Sequence, residues 1–300
     1  MTFSAEVKTE LCQPRIERKC CALAEAYGVL LYCHSFSPAE IRIITASEEF
    51  ARRLPHLFKK AFGVKFDSLP PEAAAGKRSF RITDAEKIKN IYNAFGNDVG
   101  TLSLHINFGI IEEPCDKAAF IRGAFLAGGS ATDPQKRYHL ELATSHYSVS
   151  RETVPILQEL GFDPKESMRR GNHLLYLKKS DEIADLLTTM GASGAAMDLM
   201  ETKVEKEMKN EIMRKVNCDS ANADKTVAAA AIQMEAIRRV ERDYGLEALP
   251  EPLYEAALLR IANPEVSLSD LAELSYPPVS KSCLSHRLKK IIEFKPKVEE

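Results

Sequence analysis

The side chains best suited to chemistry lie in the last fifty residues. Between Val279 and Ile292 there are four Lys or Arg residues and no acid. On a helix over residues 281–292, Leu284, Leu288 and Ile291 fall at i, i+4 and i+7 and face inward. Lys281, Ser282, Ser285, His286 and Lys289 face outward, with Arg287 and Lys290 at the edges. Lys and Ser near the start of such a helix can reach base edges, and Arg287, Lys289 and Lys290 suit phosphates. The same cations could form the solvated side of an ordinary bundle. Their confinement to one helix favours double-stranded DNA, although the formal net charge of the whole chain is −2.

Other candidate groups are weaker. Seven cysteines, an odd number in a 300-residue chain, do not read as a disulfide framework. Cys12, Cys20, Cys21 and Cys33 are close in sequence. Their spacing does not match the closely spaced Cys pairs of zinc sites, so buried free thiols are expected, with no metal and no cofactor. His34, His139, His146 and His173 are scattered and lack a catalytic context. Gly128-Gly129-Ser130 follows a helix rather than a strand, a poor place for a phosphate loop. No catalytic residue and no small-molecule substrate is expected.

The elements that would position the basic face follow from periodicity and breakers. Residues 252–262 read as a helix with Leu253, Ala256, Ala257, Leu258 or Leu259, and Ile261 inward, broken by Asn263-Pro264. Ser267 caps a two-turn helix to Leu274, Tyr276-Pro277-Pro278 turns the chain, and Ser280 caps the basic helix. This is a helix-turn-helix pattern. Ahead of it, residues 198–216 read as a charged helix and 217–222 as a turn rich in Asn and Asp. A further helix runs from Asp224 to Gly245 with Val227, Ala230, Met234, Ile237, Val240 and Tyr244 inward.

The chain ahead of Gly194 repeats itself. After a helical lead-in over 1–19, the first pass has an apolar helix (20–33), a strand (41–45) and an amphipathic helix (48–62). Two strands (64–69 and 79–83) follow, joined by a Pro/Ala/Gly loop, then a helix from Asp84 to about Phe95. The second pass has helices at 118–127, 151–160 and 181–190, and strands at 138–143, 165–169 and 173–177. A further short strand is expected in each pass, after the first strand or before the second helix. Tyr27-Gly28-Val29-Leu30-Leu31-Tyr32-Cys33-His34-Ser35 aligns with Arg122-Gly123-Ala124-Phe125-Leu126-Ala127-Gly128-Gly129-Ser130 at an offset of 123 − 28 = 95 residues. A glycine inside a helix costs up to about 1 kcal/mol relative to alanine. Two at equivalent places imply a close helix–helix seam in a pseudo-two-fold α+β domain.

Length implies two domains. The divisions expected are an α+β domain over 1–195, a helical linker over 196–222 and an all-α DNA-binding domain over 223–300. No apolar run is long enough to span a membrane. The first residues, Met1-Thr2-Phe3-Ser4-Ala5-Glu6-Val7-Lys8, do not resemble a signal peptide, so a cytoplasmic, nucleoid-associated protein with no membrane partner is expected.

The two nine-residue segments resemble the LAGLIDADG helices of homing endonucleases. In that family an acid before the final glycine binds a divalent metal. The matching positions here are Cys33 and Gly128, which implies degenerate metal positions and a domain without nuclease activity. The whole chain is similar to the WhiA family. The matches are the Arg122–Ser130 segment, Val216-Asn217-Cys218-Asp219-Ser220-Ala221-Asn222, Lys225-Thr226 and Gly245-Leu246-Glu247 with Leu249-Pro250. Pro277-Pro278-Val279-Ser280-Lys281-Ser282 with His286-Arg287-Leu288 completes the set. The resemblance implies a LAGLIDADG-like two-repeat domain joined to a helix-turn-helix similar to sigma-factor promoter-reading domains. It also implies a regulatory role in transcription, cell division, chromosome segregation or sporulation, with another regulator or RNA polymerase as a candidate partner. Two other readings compete: an active endonuclease, against which Cys33 and Gly128 argue, and a protein-binding scaffold with secondary DNA contact.

Overall fold

The computed structural model describes residues 2–71, 76–96 and 103–295. It divides into two compact units, Met1–Lys206 and Glu207–Glu300.

The first unit is α+β and two-fold repetitive. After α1 (Phe3–Leu11), the first repeat runs α2 (Lys19–Tyr32), β1 (Ser35–Phe36), β2 (Ile41–Thr45), α3 (Glu48–Phe62), β3 (Arg78–Ile82) and α4 (Ala85–Ala94). The second runs α5 (Pro114–Gly128), β4 (Gly129–Ala131), β5 (Leu140–Thr144), α6 (Tyr147–Glu159), β6 (Lys165–Arg169), β7 (Asn172–Leu177) and α7 (Ser180–Met190). Two antiparallel sheets result, ordered β1-β2-β3 and β4-β5-β7-β6. Registers such as Ile43 opposite Phe80 and Leu142 opposite Leu175 turn one apolar face of each sheet inward.

Local chemistry repeats as well. At the end of β2 the Thr45 hydroxyl accepts from Ser47 N at 3.0 Å, and at the end of β5 Thr144 accepts from His146 N at 3.2 Å. The short extra strands β1 and β4 come directly after the first helix of each repeat, earlier than expected. A strand over 64–69 does not form. That segment has a single ladder bridge to β3, Ser68–Arg81, because Pro70-Pro71 cannot continue a ladder. It lies against β3 as β6 lies against β7. Part of the Pro/Ala/Gly loop falls outside the described residues.

Helices α2 and α5 form the seam. Both are apolar on nearly every side, the pattern of a helix surrounded by protein. A Cβ built on Gly28 would lie 2.0 Å from Phe120 O, and one on Gly123 would lie 2.0 Å from Glu25 O. Each glycine therefore admits the carbonyl one turn before its counterpart. Glu25 is buried in the seam, with Arg53 donating from Nε at 2.6 Å and from Nη2 at 2.9 Å; Arg122 Nε lies 3.3 Å away as an ion pair without a hydrogen bond.

Helix α8 (Ser193–Tyr244) is continuous, which corrects the expected turn at 217–222. No Gly or Pro lies between Gly194 and Gly245. Asn and Asp each cost well under about 1 kcal/mol inside a helix, too little to break one with strong formers on both sides. The Glu10 carboxylate closes its first turn, accepting from Gly194 N at 2.6 Å and Ala195 N at 2.8 Å.

The second unit is helical. The later part of α8 packs with α9 (Glu251–Ala262), α10 (Leu268–Glu273) and α11 (Lys281–Ile292) around Ile237, Val240, Leu253, Leu271, Leu284 and Leu288. Val227, Tyr244 and Ile261, expected inward, are exposed, whereas Arg260 is buried at 1% exposure. Its guanidinium donates to Val266 O at 2.7 Å and Asn263 O at 3.2 Å. It thereby satisfies carbonyls of the α9–α10 loop that an aliphatic side chain would leave unpaired. No described helix is long and apolar enough to cross a membrane.

Candidate nucleic-acid interface

Two serines set the helix-turn-helix. Ser267 caps α10 by accepting from Asp270 N at 3.3 Å, and Ser280 caps α11 by accepting from Cys283 N at 3.2 Å. Between the helices Ser275 Oγ donates to Ala272 O at 2.8 Å and accepts from Val279 N at 3.0 Å, pinning the turn. Leu284, Leu288 and Ile291 are then buried at 1% exposure each, which rotates the opposite face of α11 outward.

That face carries Lys281, Ser282, Ser285, His286, Lys289 and Lys290, all exposed. Arg287 is placed differently. It follows Leu284 by three positions and precedes Ile291 by four, so it turns toward α9, with Nη1 3.8 Å from Glu255 Oε2. Lys289 Nζ has Glu293 at 3.9 Å, a solvent-exposed pairing of little energetic weight.

One feature of the interface was not expected from sequence. Lys281, Lys225, Ser267, Ser269 and Arg260 line a recess of 200 Å³ at the start of α10. Arg260 Nε has no hydrogen-bond partner, and burial pushes its guanidinium pKa down. Cations and hydroxyls around an unfilled donor suit a phosphate oxygen. The available signal was a basic residue at 260, among the inward positions of an otherwise apolar helix pattern.

In the first unit, the two degenerate positions lie at the C-terminal ends of the seam helices. Cys33 Sγ donates to Leu30 O at 3.1 Å and Ser35 O at 3.2 Å, and burial pushes its thiol up to about 12. A Cβ on Gly128 would fall 2.4 Å from Ala143 O and 3.0 Å from Tyr32 O. A side chain there, a carboxylate included, collides with these carbonyls unless the backbone shifts. Glu141 on β5 lies opposite Ser130 on β4, and its carboxylate accepts from Arg169 at 2.7 Å, His139 at 3.0 Å and Ser130 at 3.2 Å. Burial pushes that carboxyl up, but the bonds from His139 and Arg169 outweigh it and hold it below the usual range. Of the four cysteines expected to be buried thiols, Cys20 is exposed and Cys12, Cys21 and Cys33 are partly buried.

These two features, a glycine-seamed two-repeat unit and a helix-turn-helix, match two family descriptions in the same order. Residues 117–209 match the WhiA LAGLIDADG-like domain and residues 212–295 the WhiA C-terminal HTH domain. The match extends to whole relatives. "Probable cell division protein WhiA" of Ruminiclostridium cellulolyticum is 33% identical over 309 residues, covering 100% of this chain and 99% of the relative.

The chain belongs to the WhiA family.

The relative of the same name from Desulfitobacterium hafniense strain Y51 is 36% identical over 316 residues, with 100% and 97% coverage. Full-length DUF199/WhiA from Thermatoga maritima superposes with a TM-score of 0.61 at 25% identity, covering 98% of this chain and 97% of that one. The N-terminal LAGLIDADG domain of DUF199/WhiA shares the fold of the first unit, with a TM-score of 0.51 at 22% identity over 63% of this chain. The WhiA resemblance and the LAGLIDADG-like and helix-turn-helix architecture read from the sequence are thereby established.

Proposed function

We propose that the chain is a sequence-specific DNA-binding regulator that does not cut DNA, and that α11 reads the site. The observation that carries this reading is the outward face of α11: six polar or basic side chains exposed together, with no acid between Val279 and Ile292. Ser282, Ser285 and His286, in the first two turns, face base edges, while Lys289 and Lys290 take phosphates. Lys281, expected at base edges, shares the recess with Lys225 and Arg260 and is assigned to phosphate as well. Arg287 supports the bundle through Glu255.

The absence of nuclease activity rests on Cys33 and Gly128, since neither supplies the hard oxygen ligand that Mg²⁺ needs. In this reading residues 1–195 are a platform, 196–222 a connecting helix and 223–300 the reader. The protein acts at the cytoplasmic nucleoid in cell division, chromosome segregation or sporulation, with another regulator or RNA polymerase as its protein partner. The name of the relatives supports the first of these processes.

Selection of genomic fragments by the full-length protein tests the reading, and one sequence motif is expected. Lys289→Ala should weaken binding to all sequences alike and lower the slope of log K against log salt by about one. Ser285→Ala should change the ranking of sites, at roughly 1–3 kcal/mol at the preferred one. DNA should stay intact with Mg²⁺ or Mn²⁺. Binding unmoved by either substitution would remove α11 from the interface.

A further inference from the structure

We propose that Cys20, Cys21, Cys115 and Asp116 form a closed zinc site joining the two repeats at the N-terminal ends of α2 and α5. The four ligand atoms lie within 4.8 Å of one another. Cys20 Sγ is 3.9 Å from Cys21 Sγ, and Cys115 Sγ is 3.7 Å from Asp116 Oδ1. Around Zn²⁺ with Zn–S bonds of about 2.3 Å, tetrahedral ligand atoms are separated by about 3.8 Å. The Cys20–Cys21 and Cys115–Asp116 pairs are already at that spacing, and no two of the four atoms are more than 4.8 Å apart.

Asp116 supplies the second, independent argument. It is 4% exposed, and among the described residues its carboxylate has no cation beside it, only the Cys115 thiol. The two glutamates buried among the described residues of the unit are both paired, Glu25 with Arg53 and Arg122, Glu141 with Arg169 and His139. A buried carboxylate without a counter-charge is costly, and a divalent cation among the thiols supplies one. Cysteine thiols give up their protons when a metal takes the centre of such a cluster.

The helix ends agree with this. Neither Arg18 nor Glu113, the capping residues of α2 and α5, makes a side-chain cap. The ligands of each repeat thus lie in the first turn of a helix, at the positive end of its dipole.

The site also obeys the internal symmetry. Cys20 and Cys115, like Cys21 and Asp116, are separated by the 95 residues that separate Gly28 from Gly123. Each repeat gives two ligands, so the metal would bind only when the halves are docked. Three thiolates and one carboxylate select Zn²⁺ over the hard cations Mg²⁺ and Ca²⁺. Four protein ligands leave no open position, which makes the site structural. Exposed Cys20 provides the way in.

The test uses the full-length protein purified under reducing conditions without chelator. Elemental analysis should find one zinc per chain. Metal-free protein titrated with Co²⁺ should develop thiolate-to-cobalt charge-transfer absorption and tetrahedral d–d bands, both erased by equimolar Zn²⁺. Cys115→Ser and Asp116→Asn, shown to be folded by circular dichroism, should each lose at least about tenfold in zinc affinity against a chelating dye. Cys218→Ser should lose none. If Cys115→Ser does not fold, exposed Cys20→Ser takes its place. Substoichiometric metal in the wild-type protein would overturn the proposal. So would a cobalt spectrum without thiolate bands, a disulfide among the three cysteines in the freshly isolated protein, or undiminished affinity in the folded variants.

Discussion

The two ends of the α2–α5 pair have the same parentage and opposite chemistry. At the C-terminal end, Cys33 spends its thiol on backbone carbonyls, and Gly128 has no room for a side chain. At the N-terminal end, at the same 95-residue offset, three thiols and a buried carboxylate lie within one coordination sphere. A repeat fold constrains where equivalent positions meet and leaves open what they do on meeting. The end at which the endonuclease resemblance expects a metal is filled by packing, and the opposite end holds the ligands.

The most disruptive way to break this contrast is to part the helices, because both ends then fail together. Gly123→Leu drives a side chain into the Glu25 carbonyl and should destabilise the first unit by about 3 kcal/mol or more. Chemical denaturation followed by circular dichroism would read the loss, and an unchanged midpoint would remove the seam. Next, Glu25→Gln keeps the shape but leaves Arg53 and Arg122 without a buried counter-charge. A loss of about 3 kcal/mol in the same measurement is expected. Gly128→Asp then restores an acid at a degenerate position. It should cost about 2 kcal/mol through the Ala143 and Tyr32 carbonyls and yield no Mg²⁺-dependent nicking of supercoiled plasmid. Nicking would show that the C-terminal end is closed only by residue identity.

The smallest effect is expected away from both ends. Asp67 accepts from the Lys87 ammonium and from the backbone of Asp84 at 2.9 Å and Thr83 at 2.8 Å, which hold its carboxyl at about 2, below the ordinary 3.8. The depressed carboxyl contributes stability that is complete above the ordinary value and is lost as pH falls from about 4 toward 2. Asp67→Asn should flatten the thermal midpoint across that acid window while leaving both ends of the seam unaltered at neutral pH.

Much of this arrangement is legible in the sequence where a local signal coincides with the tertiary reason for it. Gly28 and Gly123 stand out because helix-interior glycines need a cause, and close approach was the right one. Leu284, Leu288 and Ile291 are spaced at helical intervals, and the cations between them mark the outer face of α11. Elsewhere local signals mislead. Asn217, Asp219 and Asn222 suggest a turn, yet with no Gly or Pro nearby the helix passes through them. Val64 and Phe66 are buried as a strand would bury them, although the segment makes a single bridge. Arg260 occupies an inward position for the sake of loop carbonyls, a need no periodicity reports. The thiol cluster escapes a search for nearby cysteine pairs because its halves are 95 residues apart. Applying the glycine offset to Cys20 would have found Cys115.

The reciprocal glycines carry a genetic consequence. Gly28 leans on the turn before Gly123, and Gly123 on the turn before Gly28, so the two act as one locus. A substitution at the first that separates the helices removes the obstacle to a substitution at the second. The double variant Gly28→Ala/Gly123→Ala should therefore be far less damaged than the sum of the single variants. Drift at one of these positions changes which residues are permissible at the other, and the two halves of the domain cannot diverge independently at their point of closest contact.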